Sequence, residues 1–287
     1  MVRMDGKVCL VTGGNSGVGK AAALGLARLG ACVIILCHDR KRGEDAREHI
    51  KRKSGNNDIE LMLADLSVQD SIRGFARKFK EKYDKLHVLS NMAGVLLFQR
   101  QCTPDGIERT FATDYLSHFL LTHYLLEHLK AAGPSRIVTV SGSRRILNKA
   151  KINFDNIQFE RNYNGLQAAM QSTLARFIFT CELAKRLEGT KVTANTFDPK
   201  RVRSNLPRNL PWYGRFVYSM IKPFLKKECP TCIYLASSPN VDGISGKYFI
   251  DSRAVDFRPP GYTMAVSERL WRVSEELTGL GRTDFFK

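Results

Sequence analysis

Nine residues near the start of the chain, Thr12-Gly13-Gly14-Asn15-Ser16-Gly17-Val18-Gly19-Lys20, form the first pattern that could do chemistry. They follow the apolar run "KVCLV" and open a helical pattern. In that setting Gly13 permits a tight turn, Gly17 lets the backbone approach a pyrophosphate, and Gly19 lets the helix pack on the strand. Asn15, Ser16 and Val18 surround a helix N-terminus whose unpaired N–H groups suit an anion. The competing reading is a tight turn with no ligand, and the strand–turn–helix setting favours the phosphate cradle.

The second strand ends "LCHDRKR". A carboxylate at its tip would bind a ribose 2′-hydroxyl and select NAD. Here Cys37 and His38 stand at the tip, Asp39 follows, and Arg40, Lys41 and Arg42 are placed to meet a 2′-phosphate. NADP(H) is therefore expected over NAD(H), against the alternative of a merely solvated helix start. "ADLS", with Asp65 and Leu66, ends the third strand. "NMAG", with Asn91, Ala93 and Gly94, ends the fourth. Small residues at those ends leave room for adenine and ribose at the carboxyl edge of the sheet.

Elements that position these groups alternate along the chain. "KVCLV", "CVIIL", "IELMLA", "LHVLS", "RIVTV" and "VTANTF" have strand length and apolar character. Helical patterns are expected near Val18–Leu29, Arg42–Lys53, Asp70–Lys82, Asp105–Lys130 and Leu166–Leu187. The fold class is α/β: a single doubly wound, Rossmann-type parallel sheet with helices on both faces. The expected organisation is one NADP(H)-binding domain over residues 1–287, with an irregular substrate or lid lobe at about 199–229 and a tail closing on "GKYFI".

Lys and Arg number 45 against 28 Asp and Glu, a net charge of +17. That balance favours an anionic partner, whether phosphorylated cofactor, acidic lipid or nucleic acid, or else reflects a basic solvated surface. The chain has no interleaved basic–aromatic motif, so nucleic acid is not expected. The seven cysteines are read as scattered, without C-x-x-C or Cys/His metal spacing, and so as reduced thiols of a cytosolic-type compartment with no metal site. With no signal peptide and no apolar run near ~18 residues, a cytoplasmic protein is expected.

The motifs together resemble the short-chain dehydrogenase/reductase superfamily, and within it the retinol-dehydrogenase type. Thr12–Gly19 matches TGxxxGxG, Asp65-Leu66 the adenine-binding pair, and Asn91–Gly94 the NNAG motif with Met92 for the second Asn. "HFLLT", "SRIVTVS", "FTCELAKRL", "GISGKYF" and "LWRVSEELTGL" carry the match along essentially the whole chain. The resemblance implies four catalytic side chains: a Tyr that moves the proton at the carbonyl oxygen, a Lys that lowers its pKa and holds the nicotinamide ribose, and a Ser and an Asn that complete the site. At the matching positions this chain has Ala169 for Tyr, Thr173 for Lys, Gly142 for Ser and Asp114 for Asn. The family's Pro-Gly after the sixth strand reads Pro199-Lys200, and Lys200 either folds outward or enters the vacated space as a surrogate acid or a plug.

Two readings follow, with a third behind them. One is a pseudoenzyme, a cofactor sensor or cofactor-dependent binding module without turnover. The other is an enzyme with non-standard chemistry in the same pocket: hydride transfer to an activated acceptor, cyclisation or isomerisation, drawing on Asp114, Tyr115, His118, Tyr163 or Lys200. Retinol-dehydrogenase-like oxidoreduction of lipophilic alcohols or carbonyls is the third, supported by the resemblance. Tyr218 and Lys222 also satisfy YxxxK, a spacing read as coincidence. The resemblance further implies a lipophilic ligand and a homodimer through the long helices. Residues Leu206–Lys227 carry Trp212, Phe216, Met220 and Phe224 at helical spacing among basic residues, which suits either a lid whose apolar face covers the pocket or a lid that also rests on an anionic membrane.

Overall fold

The computed structural model describes residues 2–200, 202 and 228–281. Eight strands build one sheet in the order β3-β2-β1-β4-β5-β6-β7-β8. The first seven run parallel, and β8 returns antiparallel on β7. β1 (Val8–Thr12), β2 (Cys32–Cys37) and β3 (Ile59–Leu63) alternate with α1 (Gly17–Arg28), α2 (Arg40–Ser54) and α3 (Gln69–Lys82). β4 (Val88–Asn91) is followed by α4 (Arg109–Phe111), a π-helical turn at Ala112–Leu116, and α5 (Ser117–Ala131). Then come β5 (Ser135–Val140), α6 (Arg144–Lys149), α7 (Gly165–Arg186) and β6 (Val192–Phe197), with α8 (Pro230–Ser237), β7 (Tyr248–Ile250), β8 (Arg253–Val255) and α9 (Met264–Thr278) completing the described elements.

Every residue of β2, Cys-Val-Ile-Ile-Leu-Cys, is buried, as a parallel strand covered on both faces requires. Two apolar clusters fill those faces. One gathers Phe79, Phe119, Phe179 and Trp271 under α3, α5, α7 and α9. The other gathers Leu26, Ile50 and Leu235 under α1, α2 and α8. Local chemistry sets the helix ends: Asp39 accepts from Arg42 N at the start of α2, and Gly55 closes it at φ 73°. The chain winds outward from β1 to β3, then crosses to β4. The β1/β4 junction is therefore the switch point where the carboxyl ends of the strands part.

The expected doubly wound sheet is the observed one. The helix expected from Asp105 begins instead at Arg109, because Cys102 and Glu108 pair across a turn and the Glu108 carboxylate caps the N–H groups of Thr110 and Phe111. α6, α8, β8 and α9 had no counterpart among the expected elements. The cysteines also need a correction: Cys229-Pro-Thr-Cys232 is a C-x-x-C at the entrance to α8. Both thiols are buried, and a hydrogen bond between them lowers the pKa of Cys229 and raises that of Cys232. The residues of the expected lid, from Leu206 to Lys227 with Tyr218 and Lys222 among them, lie outside the described residues. Among the described residues no helix is long and apolar enough to cross a membrane.

Candidate functional site

A cavity of about 540 Å³ runs along the carboxyl ends of β1, β2, β4 and β5. Its floor is the glycine turn, with Gly13 at φ 64° and Gly17 at φ 55°, conformations that side chains rarely adopt. A β-carbon on Gly19 would stand 2.4 Å from the Gly13 carbonyl oxygen, so only glycine lets α1 start this close to β1. Thr12 Oγ1 accepts from the N–H groups of Met92 (2.8 Å) and Ala93 (2.9 Å), which locks the end of β4 beside the turn.

The sequence-expected residues divide clearly. Gly13, Asn15, Ser16, Gly17 and Val18 line the cavity, as do His38, Asp65, Leu66, Ala93, Gly94 and Pro199. Gly19 does its work in packing instead. Asn91 is fully buried behind the wall and reaches Thr122 Oγ1 at 3.4 Å. Arg40 turns out to Glu44, 3.7 Å away, while Arg42 lines the cavity beside His38. Burial works against the Asp65 charge, but hydrogen bonds from Ser67 and the nearby Arg109 and His38 hold its pKa below the usual carboxylate range.

Across β1, the wall is built by the π-helical turn and α7. Asp114, Ala169 and Thr173 all face the cavity. Gly142 is not among the lining residues, and a β-carbon on it would meet the Thr173 methyl. Asp114 Oδ1 accepts from Val95 N at 2.7 Å. Burial nonetheless drives the Asp114 carboxyl up to about 7, opposed by the attraction of Arg176 and the Val95 hydrogen bond. Arg176 also lines the wall, 7% exposed, with Nη2 donating to Thr173 Oγ1 at 3.2 Å. Sequence reading missed Arg176. The signal was its position, three residues after Thr173 and seven after Ala169, on the same helical face.

Of the other candidate polar groups, Tyr115, His118 and Tyr163 are not among the residues lining the cavity. Tyr115 is buried against Ser274, its hydroxyl 2.7 Å from Ser274 Oγ. His118 is buried, and burial together with Arg176 keeps its pKa well below the ordinary histidine value. The Tyr163 hydroxyl donates to Leu97 O and to Glu108 Oε1. Lys200, at φ 55°, contributes to the cavity rim but sends Nζ to Asp251 Oδ2 at 3.1 Å.

Residues 7–150 match the family model described as short chain dehydrogenase. Human retinol dehydrogenase 14 is 39% identical over 296 residues, covering 96% of this chain and 88% of the relative. Bovine retinol dehydrogenase 12 is 40% identical, covering 97% and 88%, and human polyprenol dehydrogenase is 36% identical, covering 96% and 86%. Among solved structures, an uncharacterised protein from Mycobacterium paratuberculosis superposes with a TM-score of 0.76 at 27% identity, over 97% of this chain and 96% of that one. The Pseudomonas aeruginosa RhlG/NADP active-site complex shares the fold, with a TM-score of 0.67 at 23% identity over 86% and 95% of the two chains.

Proposed function

The chain belongs to the short-chain dehydrogenase family, and from that premise we propose that it is a retinol-dehydrogenase-like oxidoreductase that binds NADP(H) and acts on a lipophilic alcohol–carbonyl pair. The observation that carries this is the lining of the cavity. The glycine turn, His38 and Arg42 suit a pyrophosphate and a 2′-phosphate. Val95, Leu96, Leu97, Val140 and Val202 line the same cavity as Asp114 and suit an apolar substrate with one reacting oxygen. The retinol dehydrogenases and the polyprenol dehydrogenase it resembles are named for such alcohols.

The nicotinamide, when bound, supplies or accepts the hydride. The chain must then hold the substrate oxygen and move one proton. Among the described residues, Asp114 is the cavity-wall acid driven up to about 7, so it exchanges a proton at neutral pH. Arg176 faces the same space and favours negative charge on that oxygen. A positioned acid contributes roughly 10²–10⁴ in rate, so with Ala169 at the tyrosine position a turnover resting on Asp114 is expected to be slow.

A second reading is a cofactor-dependent binding module without turnover. It is favoured by Asp114, Gly142, Ala169 and Thr173 standing where the resemblance implies Asn, Ser, Tyr and Lys. NADPH consumption with all-trans-retinal, followed in single-turnover mode, separates the two. Saturable oxidation that drops in Asp114→Ala supports the enzyme. Tight NADPH binding with no oxidation for retinal or a panel of lipophilic aldehydes leaves the binding module. Cytoplasmic placement beside an acidic membrane and a homodimer remain part of the proposal, resting on charge and on resemblance.

A further inference from the structure

Arg176 stands one turn beyond Thr173 and two beyond Ala169 on α7, and all three line the cavity. Long side chains on a helix lean toward its N-terminus, which is how Nη2 reaches the Thr173 hydroxyl. That hydroxyl donates in turn to Ala169 O at 2.8 Å, so it offers the guanidinium only a lone pair. The Nε–H of Arg176 is buried with no acceptor. A buried charged donor left unmade is costly, and native sites seldom keep one without a partner to come.

Asp114 does not settle this debt of hydrogen bonds. It attracts Arg176, but Oδ1 is committed to Val95 N–H. Val95, whose N–H bonds Asp114, lines the same cavity together with Leu96 and Leu97. A cavity-lining guanidinium with a buried, unsatisfied N–H, in a cavity that apolar residues also line, is complementary to an anion carried on a hydrocarbon chain.

We propose that this corner of the cavity is a subsite for the carboxylate of a lipophilic acid, received by Arg176 with the hydrocarbon lying along Val95, Leu96 and Leu97, and that Asp114 competes with the ligand for the same guanidinium. The proposal goes beyond the functional reading above, since the acid would occupy the place of the reacting oxygen without being turned over, and rests on that reading only in placing the ligand in this cavity. Asp114 is faced by Arg176 from α7, by Glu108 at the start of α4, by Tyr163 from the segment before α7, and by the Val95 N–H. His118, on α5, faces Arg176 and stays neutral, so it adds no charge. Ionised Asp114 attracts the guanidinium and repels a second carboxylate; protonated Asp114 does neither. Affinity for the acid therefore falls as pH rises through neutrality.

Calorimetry on the full chain, with and without NADPH, tests this with dodecanoate and dodecanol at pH 6 and pH 8. Dodecanoate is expected to bind about tenfold or more tighter than dodecanol at pH 6, as a charge-assisted hydrogen bond implies. Arg176→Leu should erase that preference while leaving NADPH affinity within about twofold, and Arg176→Lys should keep part of it. Asp114→Asn should bind dodecanoate equally at both pH values. It carries the test alone if Arg176→Leu does not fold. Equal binding of acid and alcohol by the wild type overturns the proposal. So does Arg176→Leu weakening NADPH but not dodecanoate, which would assign the guanidinium to the cofactor. If NADPH fails to bind while the acid preference survives, the cofactor reading falls and the subsite stands.

Discussion

Gly142 and Thr173 stand so close that a β-carbon on Gly142 would lie 2.8 Å from Thr173 Cγ2. The two positions are therefore coupled. Gly142→Ser alone is expected to cost about 1–3 kcal/mol of stability through overpacking. In a Thr173→Lys background, where the branched methyl is gone, most of that cost should vanish. A double-mutant cycle by urea unfolding measures the coupling, and identical costs in both backgrounds would show that the contact is not limiting.

The same geometry bears on rebuilding ordinary catalysis. Asp114→Asn, Gly142→Ser, Ala169→Tyr and Thr173→Lys together restore the side chains the resemblance implies. Thr173 Oγ1 lies 3.2 Å from Arg176 Nη2, however, so a lysine at 173 meets a like charge. Retinal reduction should rise in the four-fold variant and rise further when Arg176→Asn is added. Steady-state NADPH oxidation reads both, and a fifth change that lowers the rate would contradict the repulsion.

Asp114 also links stability to pH. Its folded pKa, about 7, lies above the ordinary 3.8, so the folded state holds a proton the unfolded chain gives up. The protonated carboxyl contributes stability in full below pH 3.8 that is lost as pH rises toward 7. Asp114→Asn should thus raise the melting temperature relative to wild type at pH 8 and have a smaller effect at pH 5. A difference that is larger at pH 5 would reverse the sign and refute the buried acid.

The sheet was legible in the sequence because its strands are short apolar runs set between longer helical patterns, and the glycine turn because Gly13, Gly17 and Gly19 each meet a steric demand of the backbone. What escaped was tertiary. Arg176 reads as an ordinary helical arginine until the fold brings Asp114 opposite it. Arg40 and Arg42 are indistinguishable in the run "DRKR", and only the pitch of α2, capped by Asp39, turns one to Glu44 and the other to the cavity. The fate of Lys200 depended on Asp251, a distant residue whose place is set by the β7–β8 return.

The basic, aromatic run Leu206–Lys227 is expected to bring the protein to acidic membranes, each cation near the surface adding about 1 kcal/mol. Sedimentation with phosphatidylserine-containing and neutral vesicles at low and high salt tests it. Binding to acidic vesicles alone, weakened by salt, is the expected outcome. No sedimentation at low salt leaves the run without a membrane role.

The cofactor is the most direct point of test. Titration calorimetry of the wild type with NADPH and with NADH should give saturable binding of one equivalent, about tenfold or more tighter for NADPH, since charged hydrogen bonds to a 2′-phosphate are worth that much. Gly17→Val, which puts a branched side chain at φ 55° on the pyrophosphate path, should abolish both. Equal or reversed affinities would contradict the NADP(H) assignment, and unchanged binding by Gly17→Val would mean that the glycine turn holds no dinucleotide.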